Sequence, residues 1–137
     1  AGPPARAGRK FVLIVEDDRQ IASMLGDFLQ GEGLSWQTEC SSAAEALIQA
    51  EALTVGLVLM DIMLSGDKTG VDAYRMLRDS PYVSRSLPVI FITALTPEQA
   101  REKIPEGDLC VRLLHKPIDF EELKRAIRAL TGSSLLK

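Results

Sequence analysis

The sequence predicts an α/β domain, a parallel sheet with helices packed on both faces, and three observations carry that expectation. Short apolar runs alternate with segments of helical periodicity, which is the pattern of successive βα units. Four of those runs, "FVLIV", "GLVLM", "LPVIFI" and "CVRLL", are nearly unbroken, as expected of central strands buried on both sides. Finally, 137 residues with 46% hydrophobic content suit one domain around a single core.

Taken in chain order, residues 1–10, "AGPPARAGRK", hold two prolines and three cations without an apolar anchor, and are expected to be a flexible leader or an expression remnant. The first strand begins at Phe11. In the first helix Ile21, Met24, Leu25, Phe28 and Leu29 share a face, and Gly31 and Gly33 can end it in the left-handed conformation. "LSWQTE" (34–39) alternates and reads as an edge strand. Ser42 with Glu45 has capping-box spacing and opens the second helix, and "GLVLM" makes the third strand. Val71, Tyr74 and Leu77 mark a shorter third helix after Gly70. After "LPVIFI", Thr96 with Gln99, and Pro97 between them, start a fourth helix. Pro105 and the scarcity of apolar residues in "REKIPEGDLC" predict that this helix is short or mobile. "CVRLL" is the fifth strand; Asp119 with Glu122 then caps a last helix with Phe120, Leu123, Ile127 and Leu130 inward and Lys124, Arg125 and Arg128 outward. The domain is expected to span 11–131, with a tail at 132–137.

Composition excludes several classes of function. A net charge of −3 with scattered cations provides no basic field for a nucleic-acid backbone, so no direct nucleic-acid binding is expected. No apolar run is long enough to cross a bilayer, and the first ten residues lack the hydrophobic middle of a signal peptide, so the expected location is cytoplasmic with no membrane contact. Cys40 and Cys110 stand in neither metal-ligand nor redox spacing and read as buried or neutral fillers.

In an open parallel sheet, ligands gather beyond the carboxyl ends of the strands. There this sequence places Glu16, Asp17 and Asp18 after strand one, Asp61 after strand three, Thr93 after strand four and Lys116 after strand five. Carboxylates crowded together raise one another's pKa unless a cation joins them. Oxygen donors without His or Cys favour a hard ion, and Mg²⁺ suits two or three carboxylates with room for water. Such a site suggests phosphoryl chemistry, with an Asp61 carboxylate as nucleophile, Lys116 neutralising developing charge and Thr93 donating a hydrogen bond to a phosphoryl oxygen. Asp18, just before the first helix, suits an N-cap, and His115, with no evident partner in the sequence, reads as structural or surface.

With "LIVEDD" at 13–18, "LVLMDIMLSG" at 57–66 followed by Gly70, "PVIFITA" at 88–94 and "HKP" at 115–117, the chain resembles the receiver domain of two-component response regulators over nearly all of 11–130. The resemblance implies the flavodoxin-like doubly wound sheet of strand order 2-1-3-4-5. It implies that Asp61 accepts a phosphoryl group from a phosphohistidine on a sensor histidine kinase or a histidine phosphotransfer protein. Glu16, Asp17, Asp61 and the Met63 carbonyl would hold Mg²⁺; Thr93, the Ala94 amide and Lys116 would contact the phosphate; Pro117 would follow a cis peptide. The implied activity is Mg²⁺-dependent self-phosphorylation from phosphodonors and self-dephosphorylation, with no other enzymatic reaction. Its output would be altered binding of a downstream protein through the fourth helix, fifth strand and fifth helix, and a homodimer is compatible with it.

The sequence departs from the family pattern in four places. Leu113 stands where a Tyr or Phe is usual, so output is expected to use another route than the coupled hydroxyl and aromatic. Ser65 stands where proline is common, and Gly70 comes one position later than in the commonest loop. The weak fourth helix is the third departure. Met63 and Leu95, both apolar beside the site, cannot orient an attacking water, which predicts slow self-dephosphorylation. Two other functions compete: a receiver-like scaffold that binds partners without phosphorylation, favoured by Leu113, and a phosphatase of the haloacid dehalogenase type. The latter carries its nucleophile as Asp-x-Asp after strand one, where this chain has "EDD".

Overall fold

Strand and helix alternate from β1 (Phe11–Val15) through α1 (Arg19–Gly31), β2 (Gln37–Cys40), α2 (Ala43–Ala52), β3 (Val55–Met60), α3 (Gly70–Asp79), β4 (Val89–Thr93), α4 (Pro97–Lys103) and β5 (Val111–His115) to α5 (Phe120–Thr131). This computed structural model describes residues 10–34 and 36–132; the expected leader, apart from Lys10, and the tail, apart from Gly132, lie outside them. All strands are parallel, in the order β2-β1-β3-β4-β5 implied by the resemblance.

Period-two alternation explains why the central runs are apolar throughout. Leu13, Val15, Val58, Met60, Val89 and Phe91 enter one core layer with residues of α2, α3 and α4, including Ala46, Leu77 and Ala100. Their neighbours Val12, Ile14, Leu57, Leu59, Ile90 and Ile92 enter the other, with Leu25 and Leu29 of α1 and Leu123 and Ile127 of α5. The small face of α2, Ala43, Ala46 and Ala50, lies within the first layer.

Several local expectations are corrected. The edge strand starts at Gln37 rather than Leu34, because the Leu34 amide donates to the Leu29 carbonyl at 2.8 Å and its side chain is buried in the α1 layer. Met24 is 48% exposed: it lies about 100° around the helix from Leu25, beyond the buried stripe of Ala22, Leu25 and Leu29. β5 is not doubly buried, since it forms the second edge of the sheet and Arg112 faces outward. Ser42 caps α2, but the Glu45 carboxylate reaches the Ser41 amide and hydroxyl and the Ser42 hydroxyl rather than the Ser42 amide. Thr96 and Gln99 form the complete capping box, and α4 is short at 7 residues, with Pro105 beyond its Ile104 cap. Among the described residues no helix is long and apolar enough to cross a membrane.

Candidate functional site

The backbone ladder continues one residue past the strands, and this fixes where the site's side chains leave the sheet. The Glu16 amide donates to the Cys40 carbonyl at 3.0 Å, the Asp61 amide to Val15 at 3.0 Å and the Lys116 amide to Thr93 at 2.7 Å. Because β1 and β3 are neighbours, with Val15 opposite Met60, Glu16 and Asp61 emerge side by side. From β1 the chain next forms β2 on one flank, whereas from β3 it forms β4 on the other. The acids therefore sit at the switch point where open α/β sheets bind ligands.

Lys116 ties the two sides together. Its Nζ donates to Glu16 Oε1 and to Asp61 Oδ2, each at 3.0 Å. Glu16 is 2% exposed and Asp61 7%, while Thr93 is fully buried. Asp61 Oδ1 accepts the Met63 amide at 3.2 Å, and Glu16 Oε2 accepts the Asp18 amide at 3.2 Å. Burial first, with the Asp61 charge adding to it, pushes the Glu16 carboxyl up to about 7, against the Lys116 and Asp18 hydrogen bonds that lower it. Burial works in turn against the Lys116 ammonium, but its bonds to Glu16 and Asp61 prevail and hold it above the ordinary lysine value.

Ligand oxygens of Glu16, Asp17 and Asp61 lie within 4.8 Å of one another. Fully ionised, three carboxylates against one ammonium leave a charge of −2 in a largely buried site, which a divalent cation would balance. All donors are oxygens, so the residues fit a hard ion such as Mg²⁺. Cys40 is not among the clustered groups, and burial first and the Glu45 charge second push its thiol up to about 12.

The remaining residues of the constellation surround this cluster. Thr93 Oγ1 accepts the Leu95 amide at 3.1 Å, leaving its own hydrogen available to donate. Ala94 is an exposed bend residue after β4, and Met63 is 53% exposed. The Lys116–Pro117 peptide is cis. Asp18 Oδ1 accepts the Gln20 and Ile21 amides at 2.9 and 3.2 Å, so it caps α1 as its position suggested. A Cβ on Gly70 would lie 2.0 Å from the Asp61 carbonyl oxygen, so only glycine lets α3 start this close to the acid.

Three features escaped the sequence. His115 has a partner after all, its Nδ1 lying 3.1 Å from the Leu95 carbonyl, so β5 is tied to the loop after β4. Thr69 and Asp72 form a complete capping box on α3, whose signal was the Thr-x-x-Asp spacing. Ser65 Oγ donates to Asp17 Oδ2 at 2.6 Å across 48 residues of sequence, and no local pattern announces that contact.

Comparison with known proteins agrees with this geometry. The profile of the response regulator receiver domain matches residues 12–128. The chain is 35% identical over 123 residues to the transcriptional regulatory protein YkoG of Bacillus subtilis, covering 86% of this chain and 49% of that protein. It is also 35% identical over 88 residues to the DNA-binding response regulator MtrA of Mycobacterium tuberculosis, covering 64% of this chain and 36% of that protein. The chain thus spans half or less of the length of these relatives. Among solved structures, the receiver domain of the sensor histidine kinase PA1611 of Pseudomonas aeruginosa, with a magnesium ion coordinated in its active-site cleft, matches with a TM-score of 0.79 and 27% identity over 90% of this chain and 98% of that one. A sensor protein from Polaromonas sp. JS666 matches with a TM-score of 0.79 and 28% identity over 92% of this chain and 98% of that one.

Proposed function

The chain belongs to the response regulator receiver family, and from that premise we propose that Asp61 accepts a phosphoryl group from a phosphohistidine on a sensor histidine kinase or a histidine phosphotransfer protein. The observation that carries this reading is Lys116, 3.0 Å from both Glu16 and Asp61 at the switch point of the sheet. A carboxylate oxygen of Asp61 attacks phosphorus; the phosphorus–nitrogen bond to the donor imidazole breaks, the imidazole leaves with the bonding electrons, and an acyl phosphate forms. Lys116, freed from its share of the Asp61 charge, donates to a phosphoryl oxygen, and the Thr93 hydroxyl and Ala94 amide donate to others. Glu16, Asp17, Asp61 and the Met63 carbonyl are the groups that would hold Mg²⁺. When bound, that ion supplies charge neutralisation to the phosphoryl oxygens.

Small phosphodonors serve the same reaction without a partner, and hydrolysis returns the Asp61 carboxylate and inorganic phosphate. We take residues 11–131 as the receiver unit, acting in the cytoplasm, with output read by a protein target on α4, β5 and α5. Leu113 favours the competing reading of a scaffold that works without phosphorylation. Reductive trapping of the acyl phosphate with borohydride followed by peptide mapping separates the two. The label is expected on the peptide containing Asp61; label on another residue, or none with any donor, would favour the scaffold.

A further inference from the structure

The three acids of the site are not restrained alike. Glu16 is held by the Lys116 ammonium and the Asp18 amide, and Asp61 by the same ammonium and the Met63 amide. Among the described residues, neither an ammonium nor an amide reaches Asp17. Among the described residues, the bond its carboxylate makes is the one from Ser65. At 2.6 Å this is a short charge-assisted bond, of the kind about twice as strong as a neutral one.

We infer that Ser65 is a positioning residue for the divalent cation: its hydroxyl fixes the Asp17 carboxylate and thereby raises the affinity of the site for Mg²⁺. The inference rests on the proposed role of Asp17 as a ligand. Ser65 engages one oxygen of Asp17, Oδ2, and a carboxylate offers a second; a ligand oxygen of Asp17 lies within 4.8 Å of oxygens of Glu16 and Asp61. The donated hydrogen also withdraws charge from a carboxylate facing two others, which lessens their repulsion before the ion arrives. The bond bridges the β1–α1 and β3–α3 connections, so it sets the spacing between the two loops that carry the acids. Gly66, with φ at +93°, turns the chain immediately after Ser65, and a proline at position 65 would supply no hydroxyl at all. Partners of metal-binding groups commonly contribute ten- to a hundredfold in affinity, and an exposed serine belongs at the lower end.

The test is an NMR titration of the whole chain with Mg²⁺ at constant pH and ionic strength, for the wild type and Ser65→Ala, Ser65→Thr, Asp17→Asn and the double variant Asp17→Asn/Ser65→Ala. Ser65→Ala should weaken Mg²⁺ binding roughly tenfold, Ser65→Thr should retain the wild-type value, and Ser65→Ala should add nothing once Asp17 is asparagine. Urea midpoints in EDTA, equal for wild type and Ser65→Ala, would separate positioning from a loss of fold. Unchanged or tighter binding by Ser65→Ala, or an effect that persists on the Asp17→Asn background, would overturn the role of Ser65 while leaving the ligand reading intact. A wild-type chain that shows no Mg²⁺-dependent shift would remove both.

Discussion

Glu16 and Asp61 share one ammonium, and because Glu16 is also the more deeply buried of the two, the proton inventory of the site depends on pH. Glu16 titrates near 4.5 when free and near 7 in the fold, so between those values the folded chain holds a proton that the unfolded chain has released. Stability contributed at this residue is therefore largest below pH 4.5 and declines as pH rises through 7. Urea denaturation in EDTA across that window should show a decline that Glu16→Gln lacks, whereas Mg²⁺ binding, which needs the carboxylate, should tighten with rising pH. At the same scale, Met63 is exposed beside the acid while Leu95 packs partly into the α2/α3 core layer, and neither offers a polar atom on its side chain to hold a water molecule. Met63→Asn with Leu95→Glu should shorten the phosphoryl lifetime by about tenfold or more, as expected when general-base or positioning groups are gained; phosphate release after removal of the donor measures it, and an unchanged or longer lifetime would count against the idea.

Elements place these residues, and α3 does so under the tightest constraint. The Gly70 amide donates to the Ile62 carbonyl at 2.6 Å, and the Thr69–Asp72 box fixes the helix start beside the Asp61 backbone. Gly70→Ala forces a methyl group to 2.0 Å from the Asp61 carbonyl oxygen, which only movement of α3 or of the β3 terminus relieves. The expected cost is about 3 kcal/mol in urea denaturation, at the upper end of ordinary overpacking, with slower phosphorylation because Asp61 shifts relative to Lys116. A variant as stable and as reactive as wild type would show that the helix start is compliant. The strands and helices were legible because their signals are local: alternation places Val12 and Leu13 in opposite layers, and Thr96 meets Gln99 three residues on. The contacts of Ser65 with Asp17 and of His115 with Leu95 join loops far apart in sequence, so their existence depends on the finished sheet.

For the molecule as a whole, strand order converts scattered residues into one site. Placing β1 next to β3 and β4 next to β5 brings together groups that lie 100 residues apart, Glu16 and Lys116. That convergence was readable in sequence because Glu16 directly follows an apolar run and Lys116 follows one after a single residue, His115; the misplacement of β2 and the half-exposure of β5 left it untouched, since neither edge shifts the strand ends that matter. Fully ionised, the site carries a charge of −2 among apolar strands, which favours a divalent cation, and only the neutralisation such an ion supplies would let an anionic phosphoryl group approach Asp61. The central claim is that Asp61 accepts that group. Intact mass of the whole chain after incubation with a small phosphodonor, with and without Mg²⁺ and beside Asp61→Asn, addresses it most directly. One added phosphoryl group that requires both Mg²⁺ and Asp61 is the predicted result; no addition to a folded wild-type chain, or equal addition to Asp61→Asn, would contradict it.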